Sequence, residues 1–185
     1  MRGWLLACAA LAWSWGCASD VEDIHDPDGD DPPSEPARGA VMRERWHPPP
    51  STIRGRYDEA GAWNDGRACA GGVLRGTKAI GERIRSAFTI DRVEGYECRP
   101  RSTDASELSI HATGRAIDIF AEPGAGDQVA KWLVVNAEEL GVQLVVWNRT
   151  IWKITPAGPT SRAYAGPNPH TTHVHVELTR EAAAR

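Results

Sequence analysis

The chain has 185 residues, of which 21 are basic and 25 acidic, for a formal net charge of −4 at pH 7. That length holds one domain once segments outside the fold are set aside. From residue 57 to the end there are 15 basic and 16 acidic residues, so the domain is near neutral and lacks the basic stripe that nucleic-acid binding calls for.

Residues 1 to 15 carry one basic residue, Arg2, followed by the apolar run Trp4-Leu5-Leu6-Ala7-Cys8-Ala9-Ala10-Leu11-Ala12-Trp13. The run is too short to span a bilayer as a mature helix and reads as an export signal. Small residues flank Cys17, with Gly16 before it and Ala18 and Ser19 after it, which resembles a bacterial lipoprotein processing site, although Ser14 stands where such sites carry Leu. The expectation is an export signal over residues 1 to 17 ending on a lipidated Cys17, the alternative being an ordinary secretory signal cleaved nearby. On either reading the protein leaves the cytoplasm, as a cell-envelope lipoprotein or otherwise as a secreted protein. A lipidated chain faces the periplasm and is held to the membrane by acyl chains without a spanning helix.

Asp20 to Glu35 contains eight acidic residues and no basic one, interspersed with Pro27, Gly29, Pro32 and Pro33, and prolines recur at Pro36 and Pro48-Pro49-Pro50. Such a composition cannot bury a core, so residues 18 to 56 read as an acidic, proline-rich and partly extended linker. Asp26, Asp28 and Asp30 have the spacing that opens a calcium loop, but no Gly-x5-Glu continuation follows. The domain is expected over residues 57 to 185. Of the four cysteines, Cys8 and Cys17 fall in the export segment. The remaining pair, Cys69 and Cys98, is expected to bridge in an oxidising compartment, contributing about 3 kcal/mol.

Within the domain, residues 77 to 88 place Ile80, Ile84, Ala87 and Phe88 on one helical face, with Thr77 as N-cap. Residues 88 to 98 alternate in part and read as one strand or two short ones, and 99 to 106 read as a polar loop. Residues 116 to 120 form a strand stopped by Glu122-Pro123-Gly124-Ala125-Gly126. A second helix is expected over 127 to 140, capped by Asp127 and terminated by Gly141. Residues 142 to 147 read as a largely buried strand that 151 to 154 pairs with across an Asn148-Arg149-Thr150 turn, and 173 to 178 as the last strand. The order describes an α+β fold, a small and mainly antiparallel sheet with helices packed on it.

Four of the six histidines fall in two short segments, His111 alone and the cluster His170, His173 and His175. A strand alternates its side chains, so His173, His175 and Glu177 share one face while Val174, Val176 and Leu178 take the other. Asp118 alternates with Ile117 and Ile119 in the same way, and Gly114 permits the turn that brings His111 back over it. A catalytic zinc takes three protein ligands and keeps an open position for water. His111, Asp118 and one histidine of the pair fill that need, and the other imidazole is a candidate proton carrier because its ordinary pKa is near neutrality. Ser109 and His170 are candidates for outer support of the ligands or for loop structure alone. Trp147 and Trp152 could line a cleft or pack in the core.

The run Ser109-Ile110-His111-Ala112-Thr113-Gly114-Arg115-Ala116-Ile117-Asp118, followed by His173-Val174-His175, resembles the zinc D-alanyl-D-alanine metallopeptidases and the wider group that joins lysostaphin-type endopeptidases, D-Ala-D-Ala carboxypeptidases and the hedgehog signalling domain. The resemblance implies a hedgehog-like α+β fold, with His111, Asp118 and His175 binding zinc and His173 as the catalytic partner. The spacing His170-x-x-His173-x-His175 is closer to the penicillin-insensitive murein endopeptidases than to the dipeptidases, which carry a Glu base where Thr172 stands here. The stretches 146 to 152 and 165 to 170 also resemble an extracellular branch of the group. What the resemblance implies for function is zinc-dependent hydrolysis of an amide bond in peptidoglycan peptides, with Arg67, Arg75 and Arg115 as candidates to hold a peptide carboxylate. The alternative is a zinc-stabilised envelope binding module without catalysis.

Overall fold

The computed structural model describes residues 43 to 185. The expected export signal, Cys17 and the acidic run up to residue 42 lie outside the described residues. In chain order the elements are α1 (Arg75–Phe88), β1 (Val93–Glu94), β2 (Pro100–Arg101), β3 (Asp104–Leu108), a 3-10 turn (His111–Thr113), β4 (Ala116–Phe120), α2 (Pro123–Val135), α3 (Ala137–Leu140), β5 (Val142–Trp147), β6 (Thr150–Lys153), β7 (Thr160–Ala163), β8 (His173–Leu178) and α4 (Arg180–Ala184). Six strands form one sheet in the order β1-β4-β8-β5-β6-β7. Every pairing in it is antiparallel. The expected α+β class and its mainly antiparallel sheet are therefore present.

The central strands are those whose sequence carries the longest apolar runs. β8 lies between β4 and β5, with Asp118 opposite His175 and Phe120 opposite His173. Ile117, Ile119, Val145, Trp147, Val174 and Val176 turn to one face and are at most 2% exposed. That face packs with Ile80 and Ile84 of α1 and with Val129 and Leu133 of α2 in a single core, each large side chain contributing on the order of 2 kcal/mol.

α2 is drawn tightly over Trp147. A Cβ on Gly126 would lie 2.2 Å from the indole, so glycine is required by the approach of the helix. Asp127 accepts a hydrogen bond from Trp147 Nε1 at 2.8 Å and is not the expected N-cap. The helix begins four residues earlier, at Pro123, because the fixed φ of proline suits a first turn where its missing N–H is not needed. The expected helix over 127 to 140 is also divided at Asn136, whose side chain donates to the Trp132 carbonyl at 2.8 Å.

Other elements depart from expectation. Thr77 is buried inside α1, and Leu74 occupies the N-cap position without a side-chain cap. The segment 96 to 98 is not a strand, and the expected loop 99 to 106 holds β2 and most of β3, which pair as a hairpin. The Cys69–Cys98 disulfide is formed, with Cα atoms 5.6 Å apart. Asn148 and Arg149 both take positive φ, as a two-residue hairpin turn between β5 and β6 demands. No helix among the described residues is long and apolar enough to cross a membrane.

The packed chain also begins before residue 57. Trp46 is 7% exposed and joins the core, and its carbonyl accepts the Thr150 hydroxyl at 2.6 Å. Gly55 N–H donates to the Thr155 carbonyl at 3.2 Å. The end of the expected linker is thus laid against the sheet as an irregular strap, because one large indole among the prolines has apolar area to bury.

Candidate metal centre

His111 sits on the 3-10 turn that leads into β4. Gly114 closes that turn at φ 70°, and a Cβ there would lie 2.3 Å from the Gly72 carbonyl. Only glycine meets both conditions. Ser109 Oγ accepts the His111 backbone N–H at 3.3 Å, which supports the turn from below. Asp118 and His175 face each other across neighbouring strands, where directly opposed side chains lie close enough to interact.

These three side chains converge. His111 Nε2 lies 3.2 Å from His175 Nδ1 and 3.4 Å from one Asp118 oxygen. His175 Nδ1 lies 2.9 Å from the other. One donor atom from each residue falls within 4.8 Å of the other two. The far side of each ring is held as well. His111 Nδ1 meets the Gly95 carbonyl at 2.5 Å, and His175 Nε2 meets Glu177 Oε1 at 3.1 Å. Outer hydrogen bonds of this kind fix which nitrogen of an imidazole is free for a metal. Two imidazoles and a carboxylate are a donor set that suits zinc.

The charges around the cluster favour a cation. Burial alone would raise the Asp118 carboxyl, but His111 beside it and the hydrogen bond to His175 hold it well below the usual carboxylate range. Burial likewise opposes charge on His175, yet its hydrogen bonds to Asp118 and Glu177 lift the ring to about 10. Two carboxylates flanking one imidazole thus make a position that attracts positive charge. Burial, above all other causes, holds His111 and His173 below the ordinary histidine value.

His173 and His170 line the same neighbourhood. The His173 ring lies 5.2 Å from Phe120 and 4.8 Å from His170, centroid to centroid, and its Nδ1 is 3.3 Å from Thr172 Oγ1. His170 has φ 51°. Its Nδ1 meets the Asn168 carbonyl at 2.7 Å, and its ring lies 5.7 Å from that of His175. Burial, then the neighbouring His175 and His173, push His170 down to about 3, which leaves it a neutral wall of the site.

Arg115 does not face the cluster's partners. It is 2% exposed, and its guanidinium donates to the carbonyls of Leu178 at 3.2 Å, Asp58 at 3.0 Å and Glu59 at 3.2 Å. A carboxylate-binding role is excluded by that enclosure, and the residue instead ties the strap to the sheet. Arg67 and Arg75 bond the carbonyls of Asn64 and Arg185. Trp147 and Trp152 are both buried in the core, so neither lines a cleft.

Three participants were not anticipated. Glu177 shares the His175 face on β8, as its spacing of two indicates, but the sequence alone assigns it no role. Tyr57 donates to Glu177 Oε2 at 2.5 Å from the far end of the strap, a contact with no local sequence signal. The Gly95 carbonyl has no side chain to read.

A family model described as VldE, C-terminal domain, matches residues 69–175. No curated protein and no solved structure matches the chain.

Proposed function

The chain belongs to the VldE C-terminal domain family, a family like the D-Ala-D-Ala peptidases, and from that membership and the cluster we propose that it is a zinc-dependent hydrolase of an amide bond in peptidoglycan peptides. The observation that carries this reading is the placement of His111, Asp118 and His175 with one donor atom each inside 4.8 Å, with His173 two residues from His175 on the same strand. Zinc held there supplies Lewis acidity, polarising a carbonyl and making water a nucleophile near neutral pH. His111 Nε2, an Asp118 oxygen and His175 Nδ1 would hold the ion. His173 is the proton carrier: with Nδ1 against Thr172 Oγ1, its Nε2 accepts the proton of the attacking water and returns it to the departing amine nitrogen. Its position on β8, two residues from His175, gives it a rigid mount. An exported, lipid-anchored protein of the cell envelope would meet this substrate in the periplasm.

Thr172, exposed at the position of the dipeptidase Glu, supports a second reading, a zinc-stabilised envelope module that binds peptidoglycan without cutting it. Incubation of the purified full chain with peptidoglycan, followed by analysis of released fragments, separates the two. The hydrolase reading expects cleavage that depends on zinc, is removed by chelator and is lost in His173→Ala while zinc stays bound. Stoichiometric zinc with no cleavage of any cell-wall peptide supports the binding module and contradicts the enzyme.

A further inference from the structure

His175 has two ring nitrogens, and only one can be offered to a cation. Nδ1 faces Asp118 and His111 at 2.9 and 3.2 Å; once it is offered to a cation the remaining ring proton resides on Nε2, which lies 3.1 Å from Glu177 Oε1. Glu177 is itself 7% exposed, and a buried carboxylate needs partners for both oxygens. Its second oxygen accepts the Tyr57 hydroxyl at 2.5 Å.

Tyr57 is in turn fixed from several sides. The next residue, Asp58, donates its backbone N–H to Gln143 Oε1 at 2.9 Å and accepts Gln143 Nε2 at 3.3 Å. Gln143 is fully buried and stands where the β5–β8 register shifts, so its amide takes on the role that a strand partner would have there. Arg115 holds the Asp58 and Glu59 carbonyls, and Lys153 Nζ sits 3.5 Å from the centre of the Tyr57 ring. Two buried polar side chains, Gln143 and Arg115, thus anchor the three residues that carry Tyr57.

We propose that Tyr57 and Glu177 form a positioning relay that sets the tautomer and orientation of His175 for metal binding, making the strap part of the metal site. Both residues lie outside the span 69–175 that the family model matches, so the relay is an addition of this chain's flanks to the family's core. The inference rests on the reading of His111, Asp118 and His175 as metal ligands. Tyr57 and Glu177 touch neither metal nor substrate; they act through the imidazole.

The test is zinc affinity of the full chain, measured by competition with a chromophoric chelator, for the wild type, Tyr57→Phe and Glu177→Gln. Outer partners of metal-bound histidines typically change affinity about 10- to 100-fold. Glu177→Gln is expected in that range and Tyr57→Phe at its lower end. Tyr57→Phe removes a single oxygen and keeps the ring over Lys153, so it remains informative if Glu177→Gln does not fold. Imidazole nitrogen shifts of the zinc-loaded chain supply a readout that loss of packing alone would not move. With Nδ1 on zinc the ring proton stays on Nε2 in every variant, so the relay expects the Nε2 shift of a donor to a carboxylate in the wild type and of a weaker donor in Glu177→Gln. Wild-type zinc binding with unchanged affinity and an unchanged Nε2 shift in both variants overturns the relay and leaves the metal site standing. Failure of the wild type to bind zinc overturns the metal site and the relay together.

Discussion

The two faces of β4 and β8 differ in everything except their backbone. Ile117, Ile119, Val174 and Val176 point to one side, at most 2% exposed, and close the core under α1 and α2. Asp118, His175 and Glu177 are their immediate chain neighbours and point to the other side, where they meet His111 and Tyr57. The period of two in a strand therefore assigns stability and chemistry to alternate residues. The rigidity of the packed face holds the donor atoms of the other within hydrogen-bonding distance, while side chains on the two faces remain separable by substitution.

That separation can be broken in several ways. The largest effect is expected from Trp147→Ala, which empties the space beneath Gly126 and should cost about 3–5 kcal/mol in urea unfolding. The zinc affinity of the molecules still folded should stay at the wild-type value; a parallel loss would show that the faces are not independent. Removing the Cys69–Cys98 bridge as a double Ser variant should cost about 3 kcal/mol. It should also weaken zinc binding, because Cys98 lies three residues from Gly95, whose carbonyl orients His111. This is the one stabilising link outside the site expected to reach the ligands, and zinc affinity without any change would confine the disulfide to stability.

Zinc at 100 times its dissociation constant should raise the unfolding free energy of the wild type by about 2.7 kcal/mol. The same zinc concentration should give no stabilisation in Asp118→Ala, as read by thermal unfolding with and without metal. The smallest effect belongs to Thr179→Ala. Thr179 caps α4 by accepting the Ala182 N–H at 3.2 Å, so its loss should cost about 1 kcal/mol with no change in zinc affinity. A measurable zinc effect there would extend the coupling to the end of the chain.

How much of this was legible in the chain follows from burial. The strands 116 to 120, 142 to 147 and 173 to 178 are read from sequence with the bounds they have in the fold, because each is rich in branched apolar residues. β7 is exposed along all four residues and carries no alternation to read. The start of α2 was hidden because Pro123, Gly124 and Gly126 look like a terminator. In the structure proline opens the first turn, and Gly126 is demanded by Trp147, which is 21 residues away. The ligand candidates were legible as a histidine and carboxylate pattern, and Gly114 as the turn that folds His111 back. Arg115 stands among three arginine candidates for a peptide carboxylate, since nothing local shows that the strap encloses it. Tyr57 was invisible for the same reason: its role depends on a contact 120 residues distant in sequence.

The central claim is that His111, Asp118 and His175 share one metal ion. X-ray absorption at the zinc edge of the loaded full chain tests it most directly. The expected result is one zinc per chain with two imidazole nitrogens at about 2.0–2.1 Å and a carboxylate oxygen at about 2.0–2.2 Å, the imidazole signal falling to one ring in His111→Ala. A spectrum that is unchanged in that variant, or a first shell without imidazole, would contradict the account.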